Sequence, residues 1–328
     1  MSSPSHSSSV TRPDLRGQVY MEWGKSGIME MFVAGDVLPR VDVDEPAAVY
    51  RMIDREQFLE DVDTLRQGDG GYTRSEWSDD ELNYSTRERG HEVKIDHNAR
   101  AATRRYYDSE LVATKLALLK VRRDHEKRVA DLVMNATTFS GHTAAINGVK
   151  WETVATADPV NDIAIGKRAV EAACGFPANA LVIPHLTWEW MINCDGVLDR
   201  IGSASSVDPK VLTRRSMSTL LDLPKIIIPR GKKNASDTPK GEGITSTFAS
   251  VWDTDKVLVA YIPDQVTLEE PCLGMTWNYE GDGGAWDFTV EKYYSEEKRG
   301  DVIRARRQVK PEVRDAAFGY LLTTVLTK

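Results

Sequence analysis

The most regular apolar pattern in the chain lies between residues 99 and 137. Neither Gly nor Pro interrupts it, and Leu111, Leu118, Val121, His125, Val129, Leu132 and Val133 recur at spacings of three, four and seven. That is one stripe of an amphipathic helix, about ten turns long at ~3.6 residues per turn. A charged run at 122–128 crosses the stripe, and its alternating signs read as a solvated helix face. A helix of this length needs a wide surface to lie across.

Before this helix the pattern is broken. Residues 1–16 are Ser-rich and aperiodic, as in a disordered segment or an arm. Short apolar runs between 17 and 45 are cut by Gly24, Gly27, Gly35 and Pro39, which predicts turns and short strands without an independent core. Pro46 opens an expected short helix over 47–54. Residues 66–98 are polar throughout. Tyr72, Trp77, Leu82, Tyr84, Val93 and Ile95 are thinly spread there, and Gly68, Gly70, Gly71 and Gly90 punctuate them. So long a stretch is a functional loop, or a hairpin whose partner lies on another subunit.

After the long helix, Asp158 and Pro159 cap a helix that Gly175 stops. Residues 179–183 read as a buried strand. A helix from Pro184 places Trp190 in the core and leaves Trp188 partly exposed. A short helix over 216–221, a strand at 225–228 and a Lys- and Gly-rich loop over 230–245 follow. Strands are expected at 247–252, 256–262, 272–279, 285–293, 300–308 and 313–325, with a turn at Gly281, Asp282, Gly283 and Gly284. The fold class is α+β, with the strands late.

Charge divides the chain. Residues 1–98 hold 20 acidic and 11 basic residues, a net of −9, and the other 230 carry +1. Opposed surfaces of this kind help identical subunits dock. The overall net charge of −8 argues against a dedicated nucleic-acid binder. No apolar run approaches the ~18–20 residues of a membrane span, and the N-terminus has no secretory pattern. Three scattered cysteines, Cys174, Cys194 and Cys272, suit a reducing compartment.

Candidate chemistry is sparse. No phosphate-binding glycine loop, nucleophile elbow or paired-histidine zinc motif occurs. Ser295 and Lys298 match a Ser-x-x-Lys spacing within a charged turn, without companion motifs. His185 and Glu189 stand four apart on one helix, a spacing that suits a surface hydrogen bond. The expectation is no catalytic, cofactor-binding or metal-ligating residue, and no cofactor.

The order of elements resembles the major capsid proteins of tailed bacteriophages, whose Hong Kong 97-like fold encapsulins share. The resemblance covers roughly residues 100–328. His125 to Ala136 looks like the end of that family's spine helix. Val149-Lys150-Trp151 and then Asp158-Pro159-Val160-Asn161-Asp162-Ile163 follow in the family's order. The run from Gly175 to Pro184 resembles its next strand. Asp199-Arg200-Ile201 and Leu220 to Ile228 match the elements after it, and Val290 to Tyr294 and Gly319 to Leu322 match the closing strands.

The resemblance implies an N-terminal arm (1–65), an extended loop (66–98), a peripheral domain with the spine helix (99–158) and an axial domain (159–289). Residues 290–328 return to a peripheral strand and a closing axial strand. It implies a coat protein whose hexamers and pentamers close an icosahedral shell around double-stranded DNA, located in the virion and assembled in the host cytoplasm. The alternatives are an encapsulin-like compartment shell and an α+β enzyme with an unrecognised site. Expected inter-subunit contacts are Trp77, Tyr84, Arg87, Arg89, Arg304 and Arg306. Arg304 and Arg306 share one strand face, suited to acid on a neighbour or to nucleic acid, or else plainly solvated. The chain lacks the long scaffolding segment of some members, which implies a separate scaffolding protein. A portal, packaged DNA held by non-specific contact and a decoration protein are further implied partners, and no membrane is. Lys94 is the only lysine of the loop and sits near its base, so no cross-link is expected.

Overall fold

The computed structural model describes residues 9–328 except 66–69, 71, 77, 97, 99, 101–104, 147, 205–213, 236–246, 269, 282–287, 298 and 328. In chain order the elements are β1 (Val10–Thr11), α1 (Pro13–Ser26), β2 (Arg40–Val43), β3 (Ala47–Ile53), β4 (Asp79–Ser85), β5 (Arg87–Asp96) and α2 (Ser109–Val133). Then come β6 (Thr143–Ala145), α3 (Pro159–Cys174), β7 (Ala180–Val182), α4 (His185–Ile192), α5 (Asp195–Ala204), α6 (Arg214–Leu221) and β8 (Lys225–Ile227). The last are β9 (Lys232–Asn234), β10 (Phe248–Ser250), β11 (Val257–Ala260), β12 (Gly274–Tyr279), β13 (Thr289–Ser295), β14 (Gly300–Val313) and β15 (Gly319–Thr323).

Two sheets organise the chain. One runs β1-β13-β14-β12-β2, with β5 also paired along β14 from Arg87 opposite Val309 to Asp96 opposite Gly300. The other runs β6-β15-β11-β7-β8. Helix α3 lies on the second sheet at close range: a Cβ at Gly166 would sit 3.0 Å from Val259 Cγ2. Asp158 accepts a hydrogen bond from the Asn161 amide, and Gly175 ends α3 in the left-handed conformation.

Helix α2 spans 25 residues, about 37 Å at ~1.5 Å per residue, and crosses β5 and β14. It is shorter than the sequence predicts. Asp108 accepts a hydrogen bond from the Glu110 amide and fixes the start, and Met134 leaves helical geometry at the end. Its apolar stripe serves two cores. Ala113, Ala117, Leu118 and Val121 pack with α1 and the first sheet, while Val129, Ala130 and Val133 belong to the core under the second. Between them, the run expected on a solvated face buries His125 and Glu126.

Several other expectations change. The segment 17–45 holds most of a helix, not turns: Leu15, Val19 and Trp23 bury one side of α1, while Gly17 and Gly24 face open space. The helix expected at 47–54 is strand β3, whose burial alternates with period two around Tyr50 and which pairs along its length with β4. The polar stretch 66–98 is not one loop. Its second half forms β4 and then β5, which completes its own chain's sheet. In α4 the two tryptophans exchange roles, Trp188 being buried and Trp190 half-buried at the core's edge. Gly319 to Thr323 is the last strand, preceded by a short helical turn, Ala316–Phe318. Residues 282–284 of the expected turn and 236–245 of the loop 230–245 lie outside the described residues.

Burial, with Arg307, Arg128 and Arg122 around it, holds the pKa of His125 well below its usual value. The folded chain therefore keeps this ring neutral, whereas the unfolded chain protonates it below about pH 6.5. The unfolded state binds the extra proton, so stability falls as pH drops below 6.5, by up to about 1.4 kcal/mol per pH unit. Denaturant unfolding at pH 7 and pH 5 should show wild type losing more stability than His125→Gln. Equal losses would remove His125 as the source.

Candidate assembly surface

The sequence-derived contact residues fall on two surfaces. The first is the sheet face turned away from α2. Register places Glu92, Arg304 and Glu291 side by side on β5, β14 and β13, with Gly90 opposite Arg306. Arg306 Nε donates to Glu291 Oε1 at 2.9 Å, and its Nη2 lies 2.8 Å from the same oxygen. Arg304 Nε donates to Glu92 Oε1 at 2.9 Å, and Arg304 sits over the Tyr293 ring. Glu291 is 1% exposed, so its charge is carried by these guanidiniums. A side chain at position 90 would press on Arg306, since a Cβ there would lie 3.1 Å from its Cβ. Glycine keeps that space free.

The second surface is the base of the β3–β4 ribbon. Tyr84 stacks on Trp277 with ring centroids 4.3 Å apart and planes 10° from parallel. Tyr50 lies 4.7 Å from the same indole. Trp277 Nε1 donates to Glu312 Oε2 at 2.9 Å, and the Arg314 guanidinium lies over Tyr50. The ribbon is anchored here to β12 and β14, and Thr86 donates to the Pro46 carbonyl at its foot.

The structure thus brings Arg304 and Arg306 together and sets Tyr84 apart at the ribbon base. Both Tyr84 and Arg306 are engaged inside their own chain. Arg87 is exposed where the ribbon enters β5, and Arg89 lies 3.7 Å from Asp124 on the helix side of the sheet. Trp77 falls outside the described residues.

Other polar groups were not singled out from sequence. Glu110 in the first turn of α2 accepts hydrogen bonds from Lys292 and Arg100 at 2.8 Å, and Arg12 lies 3.4 Å away. Asp301 joins Arg100 at 2.8 Å and Lys292 at 3.0 Å. This network ties the N-terminal segment to the helix start, where an acid is favoured by the dipole. Glu126, deeper along α2, accepts from Trp252 Nε1 at 2.7 Å, the Ala34 amide at 2.9 Å and the Val33 amide at 3.2 Å. Burial pushes its carboxyl above the usual range, against those hydrogen bonds. Its spacing of three and seven from Val129 and Val133 was the available signal.

A cleft of about 710 Å³ opens beside the end of α2, lined among others by His185, Glu189, Arg230, Lys232, Lys233 and Phe248. His185 Nδ1 lies 3.4 Å from Glu189 Oε1, a surface contact on α4. The three cysteines are buried and free, and among the described residues no cluster of His, Cys, Asp or Glu fits a metal ion. None of the described helices is long and apolar enough to cross a membrane.

Truncating Arg306 leaves the Glu291 charge buried, with the Arg304 Nη1 group 3.4 Å away. Arg306→Met should cost about 3 kcal/mol in urea unfolding, while Arg306→Met with Glu291→Leu should cost clearly less, because both charges leave together. A double variant no more stable than the single would sever the link between the two residues.

No family model matches the sequence. A curated relative, the major capsid protein of Burkholderia phage BcepMu, is 23% identical over 226 residues, 66% of this chain and 66% of its own length. The match therefore spans about two thirds of that relative. A phage-related protein from Bordetella bronchiseptica RB50 superposes with a TM-score of 0.68 at 17% identity, covering 96% of this chain and 98% of the other. The capsid of Cyanophage P-SCSP1u gives 0.54 at 13%, covering 89% and 88%. A virus-like particle from Pyrococcus furiosus gives 0.52 at 11%, covering 94% and 97%. Sequence and fold agree, and the chain has the Hong Kong 97-like fold of tailed-phage major capsid proteins.

Proposed function

We propose that this chain is the major capsid protein of a tailed phage and builds the shell of the virion. The likeness to a phage major capsid protein over 226 residues carries the reading. The geometry suits it: a rigid body of two cores along one helix, and a two-stranded ribbon leaving that body with its own edges unpaired by other described strands. Hexamers and pentamers would form through the part built on the second sheet, and ribbons and arms would tie them together. Each contact is worth little alone, and repetition over many copies makes the shell stable.

The reading extends to partners. The chain would assemble in the host cytoplasm with a separate scaffolding protein and a portal, and would hold double-stranded DNA by non-specific contact. Its outer face would be open to a decoration protein. Among the described residues proposed from sequence as contacts, Arg87 and Arg89 are the most accessible. The role is structural, not enzymatic. The Pyrococcus furiosus likeness supports a second reading, a compartment shell without a genome.

Expression alone and with neighbouring genes, followed by light scattering and negative-stain electron microscopy, tests this. Rings or closed shells of many copies are expected, and nuclease-protected DNA in particles made with the packaging genes. Shells enclosing protein cargo in place of DNA would favour the second reading. A species that stays monomeric under every co-expression would remove the shell.

A further inference from the structure

The cleft beside the end of α2 has a strand along it and an unbalanced set of charges. Residues 248–254 line it in an unbroken run, with Arg230, with Lys232 and Lys233 of β9, and with Asp131, His185 and Glu189 of α2 and α4. The acids that line it are already answered. Asp131 pairs with Lys127, Glu189 Oε1 lies 3.4 Å from His185 Nδ1, and Asp253 Oδ2 lies 3.0 Å from Lys256 Nζ. The cations are not. Among the described residues no ion pair includes Arg230, Lys232 or Lys233, so the cleft holds a local excess of positive charge.

The strand is open on one side. The Ala235 amide donates to the Thr247 carbonyl at 2.8 Å, and the Val251 amide to the Gly231 carbonyl at 2.9 Å. Bonded and non-bonded pairs alternate along an antiparallel ladder, so the backbone groups of Phe248 and Ser250 point away from β9. No second described strand pairs with β10 there. Apolar surface lines the same cleft: Phe248 is 68% exposed, and Leu186 in the first turn of α4 is 45% exposed. A volume of about 710 Å³ holds a short extended segment but no duplex, whose major groove alone is ~12 Å wide. The carbonyls of an open strand need N–H donors, which a peptide backbone has and a phosphate chain lacks.

We infer that this cleft is a docking site for an extended acidic peptide of a partner protein, which adds a strand to β10 and sets its carboxylates against Arg230, Lys232 and Lys233. Main-chain hydrogen bonds to Phe248 and Ser250 would supply affinity, and the cations would select the acidic sequence. Apolar side chains of the peptide would cover Phe248 and Leu186. The site belongs to the single subunit and does not depend on the shell reading above.

The test titrates the full-length chain into a fluorescein-labelled hexapeptide of alternating Glu and Val and reads fluorescence anisotropy. The peptide should bind, and its counterpart of alternating Lys and Val should not. Arg230→Glu with Lys233→Glu should weaken binding about tenfold or more, while Arg123→Glu, an exposed charge outside the cleft, should leave it unchanged. Methylating alternate backbone nitrogens of the peptide should weaken it as well, because strand addition needs those donors. No binding, or equal binding to the charge-reversed variant or to the methylated peptide, would overturn the inference. So would a single-stranded oligothymidine that displaces the labelled peptide at lower concentration than the unlabelled peptide does, since the cleft would then belong to nucleic acid. A second measurement needs no variant. The same peptide carrying a benzophenone should photo-cross-link the unmodified chain within residues 248–254, and adducts confined to other segments would also overturn it.

Discussion

The carboxylate of Glu126 accepts three hydrogen bonds at the level of α2 where one core ends and the other begins. Two of its donors are the amides of Val33 and Ala34 at the start of a helical turn, groups that have no intrahelical partner. The third is the buried indole of Trp252, on the far side. Each donor would be costly to bury unpaired, at roughly 1–3 kcal/mol. One side chain thus closes the polar accounts of three separate segments. The N-terminal segment, the long helix and the segment before β11 are held in fixed relation there, at the junction of the two cores.

That rigidity divides the chain into parts with different freedom. The body is fixed by two apolar cores, by the Glu126 bonds and by the charge network around Glu110. Among the described residues the ribbon is held at its base, where Tyr84 and Tyr50 pack on Trp277, and toward its tip by the Arg55–Asp315 ion pair and the contact of Leu59 with Gly175. The root of the ribbon sets its direction, since a small angle there becomes a large displacement at the tip.

Much of this was legible from sequence, for physical reasons that differ by element. Helix α3 was bounded correctly because Asp158, Pro159 and Gly175 act locally on the backbone. Strand β7 showed as a short run buried on both faces. Helix α1 was missed because Gly24 read as a breaker, although it lies on the solvent side where a missing side chain costs only propensity. Strand β5 was missed because its outward residues are charged, and those charges are answered by Arg304 and Arg306 more than two hundred residues later. Likewise, nothing near Glu126 in sequence announces Trp252, and nothing near Arg55 announces Asp315. Local signals reveal local structure, whereas partners distant along the chain require the fold. The resemblance succeeded on overall architecture because it rested on the order of elements.

The shell reading proposed above does not require a readable catalytic motif. A reaction needs particular atoms at particular distances, and those constraints leave residue types that a sequence displays. A shell needs a body of fixed shape and several modest contacts placed at its rim. Cores keep their shape through many volume-conserving exchanges, so sequences drift far apart while backbones stay superposable. A superposition covering 96% of the chain at 17% identity is what that freedom produces. A side chain that joins parts must match its partners in chemistry as well as in volume, which a side chain that only fills a core need not. In this chain such side chains are Glu126 between the cores, Glu291 between two arginines, and Trp277 under the ribbon.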